Sequence, residues 1–214
     1  MAKLLDICVG DKCLSNKTTA AFRAKLVAVA NRLGVDPDHL ASAMAFETGG
    51  NFSPSIKNSA SGATGLIQFM PSTARDMFGI TTADLAKMSA EQQLDYVEKY
   101  FNKIKQRYPS LPRLEDVYLA IFTPAFIGKS TSAVAYSAGS AGYSQNKGFD
   151  ATGKGYFTVG EITAPVRSLY TKAQQRPALE VQAFDLMRVL TLLSAGLAMG
   201  YAVAWLQDPK RKAA

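Results

Sequence analysis

The stretch "AMAFETGGNFSPSIKNSASGATGLIQFMPSTA", Ala43 to Ala74, decides how the rest of the chain is read. Working back from it, Leu40, Ala43, Met44 and Glu47 recur at i, i+3, i+4 and i+7. That is the spacing of one helix face. Three of the four are apolar and the last is a carboxylate. Gly49-Gly50 follow it, and glycine closes a helix because it takes the left-handed conformation without strain. A carboxylate on an apolar face is costly unless it is paired or protonated. Burial disfavours the charged form, and the helix C-terminus presents the negative end of the dipole. The nearest cation in the following loop is Lys57. Glu47 is therefore suited to keep its proton near neutral pH and to deliver it as a general acid. The alternative is a glutamate that turns outward at a fraying end.

Helix signals surround this stretch. Phe22, Leu26, Val29 and Leu33 predict a helix ending at Gly34, and "VDPDHL" predicts the start of the next, with Asp36 as N-cap and Pro37 at the first position. Downstream, Pro71 opens a short helix that stops at Gly79, and Thr82 is expected to cap another. Ser89 and Gln92 form a capping-box pattern before a helix whose face is Leu94, Val97, Phe101, Ile104 and Tyr108. Leu114 to Phe122 gives one more buried helix, ended by Pro124. The prediction is a mainly α protein with little β structure. It divides into an N-terminal segment (1–18), a helical domain (19–180), a C-terminal hydrophobic helix (186–208) and a basic tail (209–214).

The 214 residues carry a net charge of +7, which suits an anionic partner, although solubility alone would also account for it. No run of Lys and Arg interleaved with aromatics occurs in the body, so nucleic acid is disfavoured as a partner. Cys8 and Cys13 have no second pair to complete a zinc site, and the only histidine is His39. A small disulfide loop and two free thiols both remain open. The apolar run at the N-terminus is too short for a signal peptide.

The block from Glu47 to Ala74 resembles the lysozyme-like domain of the soluble lytic transglycosylases. Their motif is a catalytic Glu, a Ser/Asn-rich loop, and then a Gly-apolar-apolar-Gln-apolar-Met-Pro run. Ser61, Gly62, Gly65, Leu66, Gln68, Met70, Pro71, Thr73 and Ala74 stand where that pattern places them. The resemblance covers roughly Thr19 to Ser168 and looks closest to phage and prophage versions. It implies a lysozyme-like fold, no cofactor, and cleavage of the β-1,4 bond between N-acetylmuramic acid and N-acetylglucosamine in peptidoglycan glycan strands. It also implies that Glu47 is catalytic, and that Ser61, Gln68, Phe69, Phe122 and Thr123 bind substrate. Gln68 read by itself is an amide in an apolar run, which must find partners and could be purely structural. Phe122 and Thr123 replace the Tyr and Asn of the family's third motif, and "AYSAG" (Ala135 to Gly139) lies too far along to supply them. A hydrolytic muramidase on the same substrate, or a structural virion or membrane protein with an inactive lysozyme-like body, are the competing functions.

Two segments carry separate expectations. "DATGKGYFTVGE", Asp150 to Glu161, has the outline of an EF-hand loop. Asp150, Thr152, Tyr156 and Glu161 would form a weak calcium set, opposed by the ammonium of Lys154; no metal is the main expectation. Residues 189–206 contain no charge and at about 1.5 Å per residue reach roughly 27 Å, near the hydrocarbon thickness. Tyr201 and Trp205 lie toward one end, as interface aromatics do. Gly196 and Gly200 would allow self-association. The reading is a bilayer anchor, with the Lys210-Arg211-Lys212 end cytoplasmic and the body facing the periplasm and wall. Contacts to other virion proteins, and a location in a phage virion or bacterial membrane, belong to the same expectation.

Overall fold

The computed structural model describes residues 3–180. The chain is mainly α there. The anchor (186–208), its Gly196/Gly200 pair and the basic tail (209–214) lie outside the described residues. Among the described residues no helix is long and apolar enough to cross a membrane.

Helix α3 (Pro37–Glu47) is the axis of the fold. Its N-cap is Asp36, whose side chain accepts from the Asp38 N–H, with Pro37 at the first turn. Six successive residues, Leu40 to Ala45, are buried, so the helix is enclosed on all sides and not along one stripe alone. The reason is side-chain size: Ala41, Ser42, Ala43 and Ala45 let neighbours approach closely. Those neighbours are α2 (Ala20–Leu33), α7 (Leu114–Phe122) and α9 (Val159–Gln174). Helix α6 (Ala90–Lys105) lies against α2 and buries Leu94, Val97 and Phe101. The expected face ran on to Tyr108, but the helix stops at Lys105.

The local signals mostly fall where expected. Gly34 and Gly79 are left-handed C-caps of α2 and of α4 (Pro71–Phe78). Ser89 and Gln92 exchange the capping-box bonds. The cap of α5 (Thr82–Ala86) is Thr81 and not Thr82, because Asp84 three residues on returns a bond to the Thr81 N–H. Arg167 of α9 pairs with the buried Glu115 of α7.

The N-terminal residues are not a separate segment. Leu4, Ile7 and Leu14 are fully buried in the main core, Leu14 opening the short α1 (Leu14–Lys17). Strand β1 (Lys3–Leu4) pairs antiparallel with β6 (Leu179–Glu180), tying the two ends of the described chain together. Strands β2 (Cys8–Val9) and β3 (Lys12–Cys13) form a hairpin with Cys8 opposite Cys13, and the two are joined as a disulfide. The hairpin sits on Gly50: a Cβ there would lie 2.8 Å from the Lys12 carbonyl oxygen and 2.9 Å from Val9 Cβ. Thr48 is the C-cap of α3, the left-handed Gly49 and Gly50 turn the chain away from it, and Gly50 also admits the N-terminal hairpin. A third pair, β4 (Val134–Ser137) with β5 (Tyr156–Thr158), flanks α8 (Ala141–Gln145).

Candidate active site

Glu47 is the last residue of α3 and is half-buried. Burial pushes its carboxyl up to about 7, and among the described residues no cation pulls it back and no second carboxylate adds to it. Two phenols stand close enough to feel its charge. Burial first, and then the Glu47 carboxylate, push Tyr100 up to about 12 and raise Tyr118 as well. Tyr100 comes from α6 and donates to the Ala120 carbonyl on α7 at 2.8 Å. Tyr118 comes from α7, meets Phe46 edge-on at 5.3 Å and stacks on Phe122 at 6.0 Å. The carboxyl therefore sits in an aromatic surround contributed by three helices. His39, the only histidine, lies eight residues back along α3, about 12 Å along the axis, so it cannot share a proton directly with Glu47.

The loop 53–70 closes on itself by backbone bonds. Thr64 bridges both Lys57 and Phe69, and the Gly65 N–H donates to the Ile56 carbonyl at 2.9 Å. Gln68 has a left-handed backbone (φ 51°). Its Nε2 donates to the Gly65 and Ile56 carbonyls at 3.1 and 3.3 Å. That arrangement commits the amide nitrogen to the loop, where the resemblance implied a sugar contact. Ser61 is exposed and its Oγ accepts from the Ala63 N–H at 3.2 Å, a local turn bond. Phe69 departs from expectation: it is 2% exposed, with its ring against Phe78 at 5.7 Å and Tyr100 at 6.1 Å. It supports Tyr100 from the core and is not placed to touch a substrate.

Phe122 is half-buried between Tyr118 and Phe149, the latter at 5.6 Å. Thr123 is buried, and its hydroxyl pairs with the Tyr136 hydroxyl at 2.8 Å. Tyr136 belongs to the "AYSAG" stretch set aside on spacing; folding of β4 against the end of α7 brings it to Thr123. A Cβ on Gly142 would lie 2.2 Å from the Tyr136 ring, so that glycine makes room for it.

The calcium set is not assembled. Lys154 Nζ bonds Glu161 Oε1 at 2.6 Å and lies over the Tyr156 ring at 4.6 Å. The other Glu161 oxygen caps α9 through the Thr158 N–H at 2.8 Å. Asp150 accepts from the Gly155 N–H and the Tyr143 hydroxyl at 2.8 Å each, and from the Lys154 N–H at 3.0 Å. Thr152 and Tyr156 are exposed. One oxygen of Glu161 is taken by the Lys154 ammonium and the other by the cap of α9, so Asp150, Thr152, Tyr156 and Glu161 do not fit a calcium ion. Asp6, Cys8 and Cys13 lie near one another, but the two sulfurs are bonded to each other and offer no thiolate.

The residues that sequence reasoning missed are Tyr100, Tyr118 and Gln93. Gln93 is fully buried on α6 and hydrogen-bonded to the 53–70 loop. A signal for it existed: like Glu47, it is a polar residue on an apolar stripe, four before Val97 and eight before Phe101. No protein-family model matches this sequence, and no curated protein matches it.

Proposed function

We propose that the chain is a peptidoglycan lytic transglycosylase in which Glu47 carries both proton transfers. The observation that carries this reading is the carboxyl itself: burial alone holds it up to about 7, with no partner charge. Such a group is half-protonated near neutrality, where it can serve as acid and then as base. Glycosidases of the usual kind work with two protein carboxylates, and among the described residues no second one shifts Glu47. A single carboxylate fits a substrate-assisted route. Glu47 protonates the glycosidic oxygen and the bond to the muramic acid C1 breaks. The 2-acetamido group of the substrate supports the developing cation. Glu47, now ionised, takes the proton of the muramic acid 6-hydroxyl, whose oxygen closes the 1,6-anhydro ring.

Tyr100 and Tyr118 keep their protons throughout, because burial and the Glu47 charge both raise them. Their rings exclude water from the carboxyl and so maintain its raised affinity for the proton. The resemblance of the Glu47–Ala74 block supplies the substrate class, and the +7 charge agrees with an anionic wall polymer. In this proposal residues 189–206 anchor the chain in a bilayer, in a virion or a bacterial membrane, with the body toward the wall.

Mass spectrometry of digested peptidoglycan tests the reading. Products ending in 1,6-anhydromuramic acid are expected. Reducing ends would assign a hydrolase on the same substrate. Equal clearing by the parent chain and Glu47→Gln would remove Glu47 from the chemistry.

A further inference from the structure

Gln93 is a fully buried amide on α6 whose bonds run to three separate segments. Its Oε1 accepts from the Leu66 N–H at 2.9 Å. Its Nε2 donates to the Pro54 and Leu85 carbonyls, both at 2.8 Å. One side chain thus holds the start of the 53–70 loop, its glycine-containing return and the end of α5. Gly65 is shaped around it. The backbone there has φ of 87°, and a Cβ would lie 2.3 Å from Gln93 Oε1 and 2.6 Å from Nε2. The glycine of the motif is required because the amide fills the space a side chain would take.

The same helix face carries the clamp toward Glu47. Gln93 and Tyr100 are seven residues apart, two turns on one face. Tyr100 is fixed by its bond to the Ala120 carbonyl, and its phenol feels the Glu47 charge. Phe69, at the far end of the loop, rests its ring against Tyr100. Helix α6 therefore sets both ends of the loop against the environment of the carboxyl.

Resting on the proposed function, we infer that Gln93 is a positioning residue: it fixes the 53–70 loop in register with Glu47, and so governs how substrate is held over the acid. Only a neutral amide satisfies the site. Leucine would leave the Leu66 N–H and the Pro54 carbonyl unpaired, the Leu85 carbonyl keeping its bond from the Met88 N–H, and an ionised carboxylate would face two carbonyl oxygens.

The test uses the full chain, purified peptidoglycan, and amide hydrogen exchange, at a temperature where circular dichroism shows the variants folded. For Gln93→Leu, kcat/KM is expected to fall about 10- to 100-fold, with KM rising more than kcat falls. The descending pH limb should stay where the parent has it, because the burial of Glu47 is unchanged. Exchange should quicken within 53–70 and stay unchanged on α3. Gln93→Glu should recover part of the activity as pH is lowered, since a protonated carboxyl accepts from Leu66 and donates to one carbonyl. Parent-like kinetics in a folded Gln93→Leu whose loop exchange has quickened would overturn the positioning role. Unchanged exchange would overturn the clamp itself. If Gln93→Leu does not fold, Gly65→Ala displaces the same amide from the loop side and is read in the same way. Equal turnover by the parent chain and Glu47→Gln would instead defeat the enzyme reading, and the exchange measurement would still report on the clamp.

Discussion

Two glycine-containing loops solve the same problem in opposite ways. The 53–70 loop is held from inside by a neutral, fully buried amide, with Gln93 bonding Leu66, Pro54 and Leu85. The 150–161 loop is held near the surface by a charge pair, Lys154 with Glu161 at 2.6 Å, both about a third exposed. The carboxylates that go with them are opposite too. Glu47 has no charged partner among the described residues, and burial raises it to about 7. Glu161 is held below its usual value, first by the bond from Lys154 and then by the Thr158 N–H. A carboxylate that is paired and solvated is a structural fastener. One that is buried and unpaired keeps its proton to higher pH. Residue type does not separate the two; surroundings do.

The comparison breaks most sharply at Glu47. Glu47→Gln is expected to lower the rate of peptidoglycan cleavage by about 10²- to 10⁴-fold, the range for loss of a general acid, and a muropeptide release assay measures it. The fold should gain. Because the folded value is raised, the stability linked to protonated Glu47 is fully present below about pH 4.5 and is lost as pH rises through about 7. At pH 8 the glutamine variant should therefore be more stable than the parent by up to about 3 kcal/mol, and the two should converge at pH 4. Asp38, raised by burial to about 6, sheds stability in the same direction in both proteins and cancels from the difference. Thermal melts of the two chains across that range would reject the raised value if the difference did not grow with pH.

Gly65→Ala attacks the buried side of the comparison. The added Cβ meets the Gln93 amide and sits at a left-handed φ, so a loss of about 2–4 kcal/mol is expected in urea unfolding. A loss below about 1 kcal/mol would mean that the amide moves aside freely. Replacing Cys8 and Cys13 with serine comes next. The closed loop is short, so about 2 kcal/mol is expected; reduction of the parent chain should reproduce the loss.

The smallest effect is expected on the charged side. Lys154→Ala removes an ion pair about a third exposed and should cost under about 1 kcal/mol. Calcium should leave the parent melting temperature unchanged, because both oxygens of Glu161 are engaged, one of them by the Lys154 ammonium. A calcium-dependent rise in the parent would mean that Lys154 swings out.

Sequence signals that act within a few residues were legible. Asp36-Pro37 started α3, Gly34 and Gly79 ended helices, and Ser89 with Gln92 capped α6, because each bond in a cap spans two to four residues. Thr81 for Thr82 was a miss of one position, within the same local pattern. Glu47 was legible for the same reason: a carboxylate on an apolar stripe beside two glycines is visible in a dozen residues. Its surround was not, since Tyr100 and Tyr118 reach it from helices 53 and 71 residues further along the chain.

The chain by itself determined α2 to α7, most of their ends and the carboxylate that cannot easily ionise, since hydrophobic period and caps are short-range properties of the backbone, whereas α9 was not read from it. Only the tertiary structure decided what surrounds them. It buried Leu4, Ile7 and Leu14 in the main core and returned Tyr136 to Thr123. It also set Gln93 across 27 residues from Leu66 and 39 from Pro54. Such contacts depend on how whole helices pack, and no spacing in the sequence specifies them.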